Sequence, residues 1–183
     1  KMLCKEALIW SRLRHRYVLK FYGVYNDDFQ ARPKSSFCIV IPWAQHGNIR
    51  QYIDKLITRS SELPQIARGV EYLHDKGVVH GDLRGANILI DSAEDVKLTD
   101  FGLSIYLQEA STIANIYSGG TTEWMAPELF QTVAGQNNRD SVISTHERQQ
   151  FPRDTLRKFD IYAFACTAVE VCTHHWSRAA STC

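Results

Sequence analysis

Three polar side chains in this sequence have the types and the spacing for one kind of chemistry. Asp82 and Asn87 lie five residues apart in a polar, glycine-containing segment, and Asp100 opens the turn Asp100-Phe101-Gly102 directly after a short apolar run. Metal-assisted phosphoryl transfer needs such a set. One carboxylate orients the attacking hydroxyl, while a carboxamide oxygen and a second carboxylate hold Mg²⁺ against the phosphates of a nucleotide.

The elements that must position these groups are readable from apolar periodicity. Met2 to Arg14 carries Met2, Ile9, Trp10 and Leu13 at helical spacing, with Glu6 close to the same stripe. Leu19 to Tyr25 and Ser36 to Pro42 are β-branched and aromatic runs separated by Asn26, Asp27, Asp28 and Pro33, a pattern for two strands joined by a loop. Gly47 to Thr58 offers a short amphipathic helix. Ser61 to Lys76 offers a longer one, with Leu63, Ile66, Val70 and Leu73 on one face and Gly77 as its stop. Val78-Val79, Ile88 to Ile90 and Val96 to Leu98 then alternate with polar clusters, as small strands flanking loops would.

Leu103 to Trp124, rich in Ser, Thr and Gly, is expected to be a long exposed loop, and such loops are uncommon unless functional. Gln131 to Pro152 is polar throughout and is expected to be an insertion or a disordered stretch. Phe159 to Val171 is nearly all apolar apart from Asp160 and Glu170, which predicts a buried helix. The tail from His174 to Cys183 has no readable pattern.

The run His80-Gly81-Asp82-Leu83-Arg84-Gly85-Ala86-Asn87, then Asp100-Phe101-Gly102, then Ala126-Pro127-Glu128 resembles, in that order, the catalytic loop, metal loop and closing tripeptide of the protein kinase family. Each tripeptide alone is weak, and the ordered set outweighs the alternative of three unrelated polar loops in a globular α+β protein. The resemblance implies a kinase-like α+β fold. Residues 1–44 would be a partial small lobe (one helix, two strands and the hinge), and 45–173 a partial helical large lobe with 131–152 inserted; 174–183 stays unassigned. Both ends of the domain are expected to be missing. The glycine-rich loop and its strand lysine would lie before Lys1, so the chain alone should bind nucleotide weakly and turn over little.

The same resemblance implies roles for individual residues. Asp82 would be the catalytic base, Asn87 and Asp100 the Mg²⁺ ligands, Phe101 a buried packing residue and His80 an architectural ring beneath it. Arg84 stands where serine/threonine members usually place lysine; it keeps the charge and changes its shape. Thr121, in Gly120-Thr121-Thr122-Glu123-Trp124-Met125, occupies the place of the hydroxyl that ties the base to that cation and favours serine/threonine over tyrosine as the acceptor. Trp-Met-Ala-Pro-Glu and His-Gly-Asp look most like the tyrosine-kinase-like serine/threonine group. Gly81 replaces the arginine that in many kinases grips a phosphate on the activation loop, so phosphorylation at Ser111, Thr112, Tyr117 or Ser118 should not be needed to order that loop.

Glu6 matches the helix glutamate that pairs with the strand lysine; on its residue type alone it is as readily a solvated carboxylate. Ile41, Pro42, Trp43 and Ala44 match the hinge, with Pro42 keeping the carbonyl and Ala44 the N–H that adenine needs, and Leu89 would be the floor of the adenine pocket. Plain strand packing is the alternative for both segments. Asp160 matches a buried aspartate that accepts backbone hydrogen bonds from the catalytic loop, and Glu128 would stay exposed or unpaired. Cys172, His174 and His175 are poorly spaced for a metal.

Composition excludes more than it selects. The 183 residues are 44% hydrophobic, enough for a buried core. Lys and Arg total 21 against 20 Asp and Glu, so no net field recruits nucleic acid or an anionic membrane. The five cysteines are odd in number and have no C-x-x-C pair, which fits reduced, intracellular, cytoplasmic thiols. The apolar stretches fall short of the roughly 20 residues a bilayer demands, and nothing in the sequence resembles a secretory signal, so a soluble protein is expected. These readings converge on an ATP- and Mg²⁺-dependent kinase acting on serine or threonine of proteins. A pseudokinase-type binding or scaffold module, or an inactive truncated product, remains the alternative.

Overall fold

The computed structural model describes residues 2–26, 37–53, 62–107, 122–127 and 153–173. Their order is α1 (Met2–Ser11), β1 (Gly23–Asn26), β2 (Phe37–Val40), α2 (Ile49–Ile53), α3 (Glu62–Asp75), β3 (Val78–Val79), β4 (Ile88–Ile90), β5 (Val96–Leu98), β6 (Ile105–Tyr106) and α4 (Arg153–Thr173), with short 3₁₀ turns at Gly85–Asn87 and Thr122–Trp124. The expected α+β class holds. Strands pair antiparallel in three ribbons, β1 with β2, β3 with β6, and β4 with β5.

Helix α1 buries Ile9 and Trp10, and Leu13 just beyond it is buried too. Trp10 packs against Phe101 with centroids 5.1 Å apart and donates its indole N–H to the Leu19 carbonyl at 2.6 Å. This ties the helix to the Asp100–Gly102 turn. Helix α3 buries Ile66, Gly69, Val70 and Leu73, the predicted stripe. A β-carbon at Gly69 would stand 2.8 Å from Leu98 Cδ1, so glycine lets α3 lie close on β5. Gly77 ends the turn after α3 with φ +69°, a left-handed conformation that costs glycine little. Helix α2 has a reciprocal cap: Gln51 N–H donates to Asn48 Oδ1 at 3.1 Å and Asn48 N–H to Gln51 Oε1 at 3.4 Å.

Two expectations change. The segment predicted as one strand from Leu19 to Tyr25 is a strand only over Gly23–Asn26. Tyr17 to Leu19 instead attach to β5 through Leu98 N–H to Tyr17 O and Leu19 N–H to Leu98 O, both 2.9 Å, because Val18 and Leu19 gain more by burial there. The stretch from Leu103 to Trp124 does not begin as an exposed loop: Ile105 and Leu107 are buried, Ile105–Tyr106 pairs with Val78–Val79, and Trp124 is buried at the far end. Val79, Ile105, Leu107, Met125, Ala126, Leu156 and Phe159 form a second core there, which a Ser- and Thr-rich composition conceals.

Helix α4 is longer than predicted and buries Leu156, Phe159, Asp160, Ala163, Cys166, Thr167, Glu170 and Val171. Thr121, Glu128, Ser111, Thr112, Tyr117, Ser118, the 131–152 stretch, the end of the Gly47 to Thr58 helix and the 174–183 tail lie outside the described residues.

Candidate active site

The β4–β5 hairpin brings the two ends of the predicted site together. Thr99 N–H donates to the Asn87 carbonyl at 3.1 Å, so Asn87, just before β4, faces Thr99, just after β5, and Asp100 comes next. Asn87 is buried, and its Nδ2 donates to both the carbonyl and Oδ2 of Asp82, each at 2.8 Å. The carboxamide thus fixes the rotamer of the Asp82 carboxylate.

His80 links the two aspartate segments from beneath. Its Nδ1 accepts from Asp82 N–H at 3.3 Å and its Nε2 faces the Thr99 carbonyl at 3.1 Å. Both contacts are satisfied by one tautomer, with the proton on Nε2. The ring is fully buried and meets Phe101 at 5.2 Å with planes tilted 43°, an oblique contact and not a parallel stack. The architectural reading of His80 fits this packing.

Asp160 lies beneath the loop, 1% exposed. It accepts His80 N–H at 2.8 Å on Oδ2, Gly81 N–H at 3.0 Å on Oδ1, and contacts His74 Nε2 at 2.9 Å. Gly81 has φ +82°, and a β-carbon there would come 2.7 Å from the Leu103 carbonyl oxygen, so the loop has room for glycine only. Asp100 also has positive φ, +63°, a strained setting for a non-glycine residue and one typical of functional turns.

Arg84 Nε is 3.9 Å from Asp82 Oδ2, and its guanidinium lies 5.7 Å from the centroid of buried Trp124. The cation is held between the carboxylate and an aromatic face. Glu6 approaches the Asp100 turn: a β-carbon built on Gly102 would meet Asp100 Oδ1 at 3.3 Å and Glu6 Oε2 at 3.6 Å. Burial, followed by repulsion from the Asp100 carboxylate, raises the Glu6 pKa above its ordinary value. Two carboxylates this close favour a cation between or beside them.

Ile41, Pro42, Trp43, Ala44, His46 and Leu89 line a cleft of about 1040 Å³, the size of a nucleotide-class pocket. Ile41, Pro42, Trp43, Ala44 and Leu89, singled out from sequence, therefore share one cavity. Among the described residues no cluster of three or more His, Cys, Asp or Glu gathers for a metal. Asn87 and Asp100 fit Mg²⁺ nonetheless, because that ion takes few protein oxygens and fills its shell with water and phosphate.

Sequence reasoning gave Glu170 no role. It is buried, accepts Gly85 N–H at 3.0 Å, and lies 2.9 Å from Arg50 Nε. The signal was available: Asp160, Thr167 and Glu170 share the phase of the buried apolar stripe on α4.

Comparison with known proteins agrees with this geometry. The family model described as protein kinase domain matches residues 1–179. The chain is 30% identical over 179 residues to mitogen-activated protein kinase kinase kinase 5 of Arabidopsis thaliana, covering 94% of this chain and 22% of that protein. It is 33% identical over 178 residues to mitogen-activated protein kinase kinase kinase 3 of the same plant, covering 92% and 26%. Serine/threonine/tyrosine-protein kinase HT1, also of Arabidopsis thaliana, is 28% identical over 176 residues, covering 92% and 38%. The chain therefore spans well under half the length of these relatives. With a family match across nearly its whole length and the ordered loops packed as described, the chain belongs to the protein kinase domain family.

Proposed function

We propose that this chain carries the phosphoryl-transfer site of an ATP- and Mg²⁺-dependent protein serine/threonine kinase, with a protein hydroxyl as acceptor and an intracellular, cytoplasmic setting. Residues 1–44 supply small-lobe elements and hinge, and 45–173 the large lobe. The observation that carries this reading is the Asn87 amide seated on the Asp82 carboxylate at 2.8 Å. It leaves the Asp82 carboxylate held in one orientation, which supports its reading as the group that meets a hydroxyl.

In this reading Asp82 receives or orients the proton of the acceptor hydroxyl, and Asn87 holds its rotamer. Arg84, steadied by Trp124, offsets charge on the transferred group, and Thr121 ties base and cation together. Ile41, Pro42, Ala44 and Leu89 receive the adenine. Asn87 and Asp100 would hold Mg²⁺, which when bound neutralises phosphate charge. Glu6 holds the far side of the Asp100 turn in position for a cation.

Thermal unfolding with ATP tests this reading. Mg²⁺ with ATP should raise Tm, by mass action on the folded state, beyond ATP with a chelator, and Asp100→Ala should abolish the Mg²⁺-dependent part. Any residual transfer of γ-phosphate to casein, expected to be small in this chain, should be lost on Asp82→Asn. A chain indifferent to ATP in the presence and absence of Mg²⁺ would refute the proposal.

A further inference from the structure

The buried face of α4 carries three polar side chains, and each meets the backbone of the catalytic loop in sequence order. Asp160 accepts from His80 and Gly81 N–H, Thr167 Oγ1 lies 3.4 Å from the Leu83 carbonyl, and Glu170 accepts Gly85 N–H at 3.0 Å. The lengths match. Ten helical residues rise about 15 Å, and five extended residues reach about 17 Å, so the loop runs along the helix and is held at both ends.

The far clamp differs from the near one. Glu170 is 4% exposed, and a buried carboxylate needs a counter-charge. Arg50 of α2 supplies it from 2.9 Å, off the direction of a good hydrogen bond to Oε1, so the contact is mainly coulombic. Gly85 fits between them: a β-carbon there would stand 2.8 Å from Arg50 Cγ and 3.0 Å from Glu170 Cδ. Arg50 follows Asn48 and Ile49, and Asn48 lines the hinge cleft, so this ion pair joins that cleft to the segment between Arg84 and Asn87.

We propose that Glu170, neutralised by Arg50, is a positioning residue that sets the Gly85 turn and through it the placement of Arg84 and Asn87. This rests on the kinase reading for its purpose but not for its test. Residue-resolved amide exchange on the unliganded chain compares Gly85 with Gly81, which Asp160 holds independently. Arg50→Ala should speed Gly85 exchange about ten-fold or more while Gly81 changes less than about two-fold. Arg50→Lys, which keeps the charge, should restore most of the protection.

Gly85→Ala is the second variant, because its methyl must part Arg50 from Glu170 without removing either; it should lower protection of the Asn87 amide. The Mg²⁺-dependent part of the ATP thermal shift should shrink in Arg50→Ala as Asn87 loses its position. Unchanged Gly85 exchange in Arg50→Ala, or equal acceleration at Gly81 and Gly85, overturns the proposal. A wild-type chain with the expected exchange pattern but no Mg²⁺-dependent shift overturns the kinase reading instead.

Discussion

Replacing Asp160 by alanine removes the acceptor for two backbone donors at once, one buried (His80 N–H) and one part-buried (Gly81 N–H). His80 N–H and Gly81 N–H, at 2.8 and 3.0 Å from the carboxylate, make their hydrogen bonds to Asp160 among the described residues. An unsatisfied buried donor costs about 1–3 kcal/mol and a part-buried one less, so the pair predicts a loss of about 2–4 kcal/mol. The His74 contact at 2.9 Å adds to the upper end of that range. Against a typical total of about 5–15 kcal/mol, this is a large fraction of the stability of a small domain.

Urea unfolding followed by tryptophan fluorescence measures it. Asp160→Asn keeps one acceptor oxygen but turns an NH₂ toward the second donor, so it should fall between wild type and alanine. His74→Ala combined with Asp160→Ala should cost less than the sum of the two, by about 0.5–3 kcal/mol. An Asp160→Ala chain within about 1 kcal/mol of wild type would refute the reasoning, because the loop would then be satisfying its amides elsewhere.

Other perturbations follow from single contacts. Gly81→Ala forces a side chain into φ +82° against the Leu103 carbonyl and should cost about 1–3 kcal/mol in the same assay. Leu98→Ala empties a fully buried position between α3 and the Tyr17–Leu19 segment and should cost about 2–5 kcal/mol. Glu6 holds its proton more tightly folded than unfolded, so its contribution to stability falls as pH rises from 4.5 through the raised folded value. Glu6→Gln should therefore raise Tm at pH 7 and lose that advantage below the ordinary carboxylate range, as a pH series of melting curves would show.

Much of this site is written in local order along the chain. Asp82, Asn87 and Asp100 could be proposed from sequence because that chemistry calls for those side-chain types in flanking loops, and the short runs Ile88–Ile90 and Val96–Leu98 were readable as small strands; that the two pair and bring Asn87 beside Thr99 is seen only in the fold. Helices α1 and α3 were legible from their apolar stripes, since burial on one face leaves a period of 3.6 in the sequence. Proximity across long separations was not. That Asp100 and Glu6 share a corner, that Trp124 backs Arg84, and that Glu170 and Arg50 flank Gly85 are consequences of packing α1, α4 and α2 around one core. A charged residue in an apolar run looks the same in sequence whether it reaches solvent or clamps a loop, and only the buried face of a folded α4 distinguishes Glu170 from its exposed neighbour Val169.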